Sequence, residues 1–203
     1  MNYIKIQESI LLDNTIFWGK KNYWILLVIL PTMNIIIETN RLLLRTFTEE
    51  DAALIYELNL DPDVTRYTHD PVKDLSHASE ILEKVIIPQY VLYNHGRWAV
   101  HVRSTLEFLG WCGLKYRSEL NEIDLGYRFK KEGWGKGYAT EAAWATIQYG
   151  FEKIGLQRIV ARAEIDNIGS WKVLEKCGMT YIGDEEVDGY LVKTYEIWNP
   201  SVR

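Results

Sequence analysis

Hydrophobic and polar positions follow both strand and helix periods from Met33 onward. Strands are predicted where branched and aromatic residues dominate, at residues 35–37, 42–45, 98–102, 108–116, 123–129, 157–163, 181–187 and 191–198. Helices are predicted where apolar residues recur every three or four positions, at residues 48–61, 76–94, 138–153 and 170–177. The strands come both in runs and separated by helices, which predicts an α/β (α+β) fold with a mixed sheet. We expect about seven strands and about four helices, antiparallel in the first half and parallel around the Tyr138 helix.

Local signals support these boundaries. The segment Thr48–Asp51 has the form of a capping box at a helix start. Pro88 predicts a kink in the second helix, and Gly155 predicts the end of the third. Asp188-Gly189 between two strands is a strong hairpin signal.

Residues 1–32 show no clean helical or strand period. Their longest apolar run, from Tyr23, has eight residues before Pro31, whereas a membrane-spanning helix needs about 20. A second methionine, Met33, begins the segment with obvious strand alternation. Our hypothesis is that Met33 is the natural start, or that 1–32 is a loosely attached extension of a single domain formed by 33–203.

Composition and charge narrow the function classes. The chain has 203 residues, with 47% hydrophobic and 25% charged, which is typical of one globular domain. A formal net charge of −5 argues against a nucleic-acid partner and favours a cationic or neutral one. Cys112 and Cys177 are too isolated for a disulfide framework, which predicts a reducing, cytoplasmic location, and the histidines show no metal spacing. We therefore expect no metal and no membrane association.

A glycine-rich turn carries the clearest chemical signal. Gly133, Gly135 and Gly137 alternate directly before a predicted helix, where bare backbone N–H groups and the helix dipole favour an anion such as a phosphate. A merely flexible turn is the alternative interpretation. The dinucleotide pattern fails because its third glycine falls on Tyr138 or Thr140, and the P-loop pattern fails because Gly137 stands where Ser or Thr is needed.

Three segments together resemble the GNAT family of N-acetyltransferases, and most closely its ribosomal-protein N-terminal (Rim-type) branch. They are the turn and helix start 135–142 after the strand 123–129, the strand 39–45, and the strand-to-helix segment 166–179. The resemblance covers roughly residues 33–198 in the right order and spacing. It departs at Glu132, where the family has Gln or Arg; an acidic side chain gives a phosphate no donor.

The resemblance implies a sheet whose two central parallel strands splay apart, with the pantetheine of acetyl-CoA between them. Backbone N–H groups around 127–129 would then bind the pantetheine and polarise the acetyl carbonyl, and the amides of 135–139 would bind the pyrophosphate. The predicted residues for binding acetyl-CoA, the expected cosubstrate, are Tyr127, Arg128, Phe129, Trp134, Gly135, Lys136, Gly137, Tyr138, Ala139, Asn167 and Ser170.

The predicted catalytic residues are Asp124 and Ser170. Asp124 lies beside the expected splay and is suited to accept a proton from the amine, although a solvated strand-edge carboxylate is the alternative. Ser170 is suited to protonate the leaving sulfur, although it equally fits the N-cap of the last helix. Asn167 is suited to pair with a pantetheine amide, against the alternative of a simple turn residue.

The predicted function is transfer of acetyl from acetyl-CoA to a primary amine, either a protein N-terminus or a small cationic amine. The polar segment 61–74 is the expected acceptor-recognition loop. The alternative is a non-catalytic acyl-CoA-binding sensor or partner module on the same fold, and a third reading is a nucleotide-binding protein. Family members often pair through C-terminal strands, which implies a possible homodimer through 190–198.

Overall fold

The computed structural model describes residues 10–12, 15–20, 23–28 and 33–202. The chain divides into two compact units, Met1–Asn34 and Ile35–Arg203. The described part of the first unit is an antiparallel meander of β1 (Ile10–Leu12), β2 (Thr15–Lys20) and β3 (Tyr23–Val28). The remainder of the predicted extension, residues 1–9, 13–14, 21–22 and 29–32, lies outside the described residues, and its attachment and the start at Met33 stay predictions.

The second unit alternates strands and helices in the predicted order. In chain order its main elements are β4 (Ile35–Glu38), β5 (Leu42–Arg45), α1 (Ala52–Leu58), α2 (Pro62–Thr65), α3 (Leu75–Ile81), α4 (Ile87–Tyr93), β6 (Arg97–Val102), β7 (Phe108–Arg117), β8 (Glu122–Phe129), α5 (Tyr138–Tyr149), β9 (Arg158–Glu164), α6 (Ile168–Lys176), β10 (Thr180–Val187) and β11 (Tyr190–Trp198). Short 3-10 turns lie at 49–51, 131–133 and 200–202, and π-helical turns lie at 82–86 and 150–154.

Strands β4 to β11 form one sheet of eight strands in the described part of this unit, in the order β10-β11-β9-β8-β7-β6-β5-β4. Neighbours are antiparallel throughout, apart from the parallel pair β8 and β9. The predicted fold class, a mixed and mostly antiparallel sheet flanked by helices, is confirmed.

The parallel pair splays apart as the resemblance implies. Strand β8 is in register with β7 over its whole length, from Glu122 to Phe129. With β9 it shares a single register pair, Asp124 with Val160. Because parallel strands run in the same direction, both diverge towards their C-terminal ends, which opens a gap between 127–129 and 162–164.

Both faces of the sheet carry an apolar core. On one face α5 and α6 cover the larger cluster, which includes Leu114, Leu125 and Ile147. On the other face a second cluster, which includes Ile55 and Leu58 of α1, packs against the sheet. The two clusters use alternate positions of the same strands, as the period of two requires. The splay therefore connects the two faces through the middle of the sheet.

The predicted kink at Pro88 takes a specific form. Residues 75–93 stay helical, but the segment Leu82–Ile86 widens into a π-helical turn just before the proline. Proline has no N–H to donate to the preceding turn, and a widened turn relieves the clash of its ring with the backbone. Gly155 ends the later helical segment at φ 78°, as predicted.

Within the part of the chain that the structure describes, none of the helices combines the length and the apolar character needed to cross a bilayer.

Candidate active site

The glycine-rich turn presents a run of unused backbone donors. Gly135 and Gly137 have φ of 71° and 79°, the left-handed region in which residues with a Cβ are strained. The N–H groups of residues 135–140 have no hydrogen-bond partner in the described part of the chain, and α5 begins directly after Gly137. A Cβ built on Gly135 meets no atom within 4 Å. The turn is thus an open cradle of amides at the positive end of a helix dipole, suited to a phosphate group.

The cradle is fixed to the start of β5 by Glu141, one turn into α5. Its Oε1 accepts hydrogen bonds from Thr39 Oγ1 at 2.6 Å and from the backbone N–H of Arg41 at 3.1 Å. Its Oε2 lies 2.6 Å from both Nε and Nη2 of Arg41, whose Nη1 donates to the carbonyl of Lys136 at 2.9 Å. Partial burial acts to raise the pKa of Glu141, but the hydrogen bonds from Thr39 and Arg41 outweigh it and lower the pKa. The motif at 39–45 therefore holds the cradle in place, a coupling that sequence analysis missed.

A groove of about 420 Å³ leads from the cradle to the splay. Eight of the predicted acetyl-CoA-binding residues line it, namely Tyr127, Arg128, Phe129, Trp134, Gly135, Ala139, Asn167 and Ser170. The other three, Lys136, Gly137 and Tyr138, belong to the cradle and are not among the groove-lining residues of the described chain. Trp134 Nε1 donates to the carbonyl of Phe129 at 2.9 Å, which fastens the turn to the end of β8. An elongated ligand with a phosphate at one end fits this arrangement.

Two hydroxyl groups meet where the groove reaches the splay. Tyr127 Oη donates to the carbonyl of Ser170 at 2.8 Å and lies 3.1 Å from Ser170 Oγ. Burial raises the pKa of Tyr127 and outweighs the opposing hydrogen bond with Ser170, so the phenol keeps its proton. The N-cap of α6 is Asn167, whose Oδ1 accepts from the N–H of Ser170 at 3.2 Å. The alternative reading of Ser170 as the N-cap is therefore wrong, because the N-cap, Asn167, lies three residues earlier than predicted.

A second cavity of about 490 Å³ lies on the other side of this junction. It shares Tyr67, Thr68, Tyr127, Asn167 and Ser170 with the groove, so the two spaces adjoin at the splay. Its other walls come from His69 of the predicted acceptor loop, from the end of β9 and from the β10–β11 hairpin. A ligand in the groove and a ligand in this cavity would meet at the Tyr127–Ser170 pair.

The acceptor loop contributes a histidine–carboxylate contact that sequence analysis missed. His69 Nε2 lies 2.5 Å from Oε1 of Glu164 at the end of β9, and both residues line the second cavity. The ring of His69 stacks on the ring of Tyr190 with a centroid distance of 3.7 Å and an interplanar angle of 4°. These residues are far apart in the sequence, and the only signal that pointed to them was the position of His69 within 61–74.

The side chain of Arg128 holds the acceptor loop, residues 61–74, through Asp70. The Arg128 side chain is 5% exposed and bonds Asn59 Oδ1 and, at 2.5 Å, Asp70 Oδ1. The guanidinium of Arg128 also lies 5.6 Å from the ring centre of Trp111. The side chain of Arg128 therefore positions the acceptor loop, and any contact with the cosubstrate falls to its backbone.

Asp124 lies at the base of the splay, as predicted, but its carboxylate is engaged elsewhere. Its Oδ2 lies 2.8 Å from Arg97 Nη2, and both side chains are largely buried. Asp124 is not among the described residues that line the groove or the second cavity. The alternative of a solvated strand-edge carboxylate is therefore wrong, because Asp124 is in a largely buried ion pair. The same pairing counts against the predicted role of Asp124 as the proton acceptor.

The arginines of the second cavity are already neutralised. Arg162 pairs with Glu122 and Glu185, each at 2.7 Å. Arg117 pairs with Glu119 at 2.9 Å and with Asp188 at 3.3 Å. The cavity wall therefore offers no uncompensated positive charge from these two residues to repel a cationic ligand.

A splayed sheet, an amide cradle and two adjoining spaces form an arrangement with room for two ligands. The family model described as acetyltransferase (GNAT) domain matches residues 41–180. Among curated proteins, the chain is 32% identical over 163 residues to Uncharacterized N-acetyltransferase p20 of Bacillus licheniformis, covering 77% of this chain and 91% of the relative.

Solved structures agree on the fold. A RimL ribosomal-protein acetyltransferase in complex with coenzyme A is similar with a TM-score of 0.70 and 18% identity, over 81% of this chain and 97% of that one. A spermidine N-acetyltransferase of Vibrio cholerae, in complex with CoA and spermine, is similar with a TM-score of 0.66 and 20% identity, over 79% of this chain and 97% of that one.

This chain belongs to the GNAT family of acetyltransferases. The predicted family and the predicted class of enzyme, an acetyl-CoA-dependent N-acetyltransferase, are confirmed.

Proposed function

We propose that this chain transfers the acetyl group of acetyl-CoA directly to a primary amine while both substrates are bound. The observation that carries the proposal is that two spaces adjoin: the groove that begins at the amide cradle and the second cavity share Tyr127 and Ser170 in their walls. Direct transfer needs both substrates to meet without a covalent enzyme intermediate, and bringing them together in this way lowers the entropic part of the barrier.

The cosubstrate is bound mainly by backbone groups. The N–H groups of 135–139 take the pyrophosphate, and Asn167, whose Oδ1 is used to cap α6, offers its Nδ2 to a pantetheine amide. In an antiparallel ladder each strand turns alternate N–H groups to opposite sides, so the groups of 127–129 that do not bond β7 face the gap. There they bind the pantetheine and the acetyl carbonyl. When bound, acetyl-CoA supplies a thioester that is activated for acyl transfer.

Proton delivery to the leaving sulfur is the role of Ser170. Its hydroxyl lines both spaces and lies 3.1 Å from the hydroxyl of Tyr127. Ser170 Oγ donates its proton to the thiolate and regains one from solvent through the second cavity. Tyr127 stays protonated because its burial raises the pKa, and its hydroxyl, which donates to the carbonyl of Ser170, holds Ser170 in place.

The acceptor is a primary amine that enters the second cavity, either a protein N-terminus or a small cationic amine. The net charge of −5 and the neutralised arginines favour an amine that arrives as a cation. Acetyltransferases for both kinds of acceptor occur among the structurally similar proteins. The cytoplasmic location and the homodimer through 190–198 stay predictions.

The proposal is tested first by ligand-dependent thermal stability and then by turnover. At about 100 times its dissociation constant a ligand stabilises a protein by about 2.7 kcal/mol, or a shift of several degrees for a domain of this size. We expect acetyl-CoA and CoA, but not ATP or NAD, to raise the midpoint. We also expect thiol release with at least one amine from a panel of spermidine, an aminoglycoside and peptides with free N-termini.

The outcomes separate the function classes. A shift with acetyl-CoA without thiol release from any amine favours the acyl-CoA sensor. A shift with ATP or NAD alone contradicts the assignment of the cradle. As a control for specific binding, Gly137→Ala should weaken the shift with CoA, because its φ of 79° strains a residue with a Cβ and distorts the cradle.

A further inference from the structure

We propose that His69, held by Glu164 and stacked on Tyr190, takes the proton from the acceptor amine. This inference rests on the proposed function and adds to it the residue that performs one step. It replaces the predicted role of Asp124, whose carboxylate pairs with Arg97 outside both spaces. The three residues of this cluster come from the acceptor loop, the end of β9 and the start of β11.

His69 is held in one orientation by contacts on two sides. The carboxylate of Glu164 lies 2.5 Å from Nε2, and the ring lies flat on Tyr190 at 3.7 Å. The backbone of His69 has φ 52°, a left-handed conformation that is uncommon for residues with a Cβ. Strained conformations of this kind persist only where surrounding contacts fix them, and they cluster at functional sites. The acceptor loop is fixed in turn by the bond of Asp70 to Arg128.

The side chains are also accessible to a ligand. His69 is 35% exposed and Glu164 is 21% exposed, and both line the second cavity. His95 and His101, in contrast, are buried and bond the backbone carbonyls of neighbouring segments. His77 belongs to α3 and is not among the described residues that line the second cavity. Of the four histidines, His69 is thus the one placed to touch an acceptor.

The geometry assigns the tautomer and the direction of proton transfer. A carboxylate at Nε2 accepts a hydrogen bond there, which places the ring proton on Nε2 and leaves the lone pair on Nδ1. An acceptor that arrives as an ammonium ion first gives one proton to solvent, so that the attacking amine is neutral. As the bond between the amine nitrogen and the acetyl carbon forms and the bond from that carbon to sulfur breaks, one N–H bond of the amine breaks and its proton passes to Nδ1. Glu164 stabilises the resulting imidazolium, as a carboxylate does when it orients a catalytic histidine. The proton then leaves to solvent through the open cavity, separately from the proton that Ser170 gives to the sulfur.

Two variants remove the proton acceptor in different ways. His69→Gln keeps a donor for Glu164 but has no basic nitrogen. His69→Gly removes the ring while glycine accepts the positive φ, and it leaves a slot against Tyr190 for free imidazole. The matched control is His77→Gln, a half-buried histidine on α3 outside the second cavity. Each is assayed with the amine from the panel above that the wild-type chain acetylates fastest.

We expect kcat to fall about 100-fold or more in both His69 variants, the usual range for loss of a general base. The Kd for CoA, measured by calorimetry, should stay within twofold because His69 is not among the described residues lining the groove. Added imidazole should restore a large part of kcat in His69→Gly and have no effect on the wild type or on His77→Gln. Glu164→Gln should lower kcat less than His69→Gln, because it misorients the ring without removing it.

Three results overturn the proposal. One is a kcat of His69→Gln within threefold of the wild type. Another is a low kcat of His69→Gly that imidazole does not restore, which assigns His69 a structural role. The third is an equal loss of CoA affinity and kcat. If Asp124→Asn lowers kcat while CoA binding and thermal stability stay unchanged, the original assignment to Asp124 stands instead. Failure of the wild type to release thiol with any amine would refute the proposed function itself, which is distinct from these results.

Discussion

The coupling between Glu141 and Arg41 makes a quantitative prediction about the cradle. In Glu141→Gln the neutral amide keeps the shape of the side chain but loses the charge that receives Thr39 Oγ1 and the Arg41 guanidinium at 2.6 Å. Hydrogen bonds to charged groups contribute about 1.5–3 kcal/mol when buried. The Arg41 side chain is 46% exposed, and exposed ion pairs contribute only about 0–1 kcal/mol. We therefore expect a loss of about 1–2 kcal/mol in the free energy of unfolding.

The loss should depend on pH in a defined direction. The hydrogen bonds from Thr39 and Arg41 outweigh partial burial and lower the folded-state pKa of Glu141 below its ordinary value of 4.5. A lowered carboxylate pKa stabilises the fold above the unfolded-state pKa, and that stabilisation disappears as the pH falls through the folded-state pKa. The stability difference between Glu141→Gln and the wild type should therefore be full at pH 7. It should shrink as the pH falls below the ordinary pKa of a glutamate, 4.5.

Urea unfolding at several pH values measures this deficit, and calorimetry measures CoA binding. At pH 7 the thermal midpoint should fall by about 2–8 °C for a domain of this size. The affinity for CoA should fall several-fold, because the cradle amides lose their attachment to the start of β5. The control Glu152→Gln changes the same charge at an exposed position in the π-helical turn after α5. Equal effects of the two variants, or a deficit of Glu141→Gln that does not change with pH, would refute the reasoning.

Three further predictions concern the cradle, the acceptor loop and the thiols. Gly137→Ala should lower the free energy of unfolding by about 1–2 kcal/mol and also weaken CoA binding. The control is Gly178→Ala, at a glycine with φ 74° after α6. It should cost a similar amount of stability but leave the CoA affinity, measured by calorimetry, unchanged. Arg128→Lys should raise the KM for the amine more than the Kd for CoA, because it removes a buried, bidentate donor that holds the acceptor loop. Steady-state kinetics measures the KM and calorimetry measures the Kd. Equal increases of the two constants would contradict this prediction. Burial raises the pKa of Cys112 to about 12 and that of Cys177 to about 11, so neither thiol of the native protein should react with a thiol reagent at pH 8 until denaturant is added. A fast reaction before unfolding would show that the core is open.

Most of the fold follows from local rules that the sequence carries. The strand boundaries agree because branched and aromatic residues dominate each strand. The Asp188-Gly189 hairpin agrees because only a few residue types tolerate its positive φ values. Several elements differ, and one of them is the short helix α2, which lies inside the segment predicted as a loop. The meander in residues 10–28 was not predicted, since continuous apolar runs such as that of β3 fit a strand or a buried helix equally. The π-helical turn before Pro88 depends on how the backbone relieves a clash, which the residue types alone do not specify.

The cosubstrate side of the site is formed by consecutive residues, whereas the acceptor side is formed by residues that are far apart in the sequence. A run of glycines before a helix gives an amide cradle wherever that helix packs, because the donors are backbone groups of the same short segment. The contact of His69 with Glu164 and the bond of Asp70 to Arg128 join residues that are 95 and 58 positions apart. No local period or motif encodes such contacts. They arise only when the sheet brings the ends of its strands and the acceptor loop to one place.

The sequence by itself therefore determined the family, the fold class and the cradle, since each depends on local backbone preference or on a contiguous motif. The tertiary structure decided which polar groups are free to act. In the folded chain Asp124 pairs with Arg97, Asn167 and not Ser170 caps α6, and His69 lines the second cavity. The physical reason is that the availability of a titratable group depends on its burial and its nearest charges, and both are properties of the folded chain.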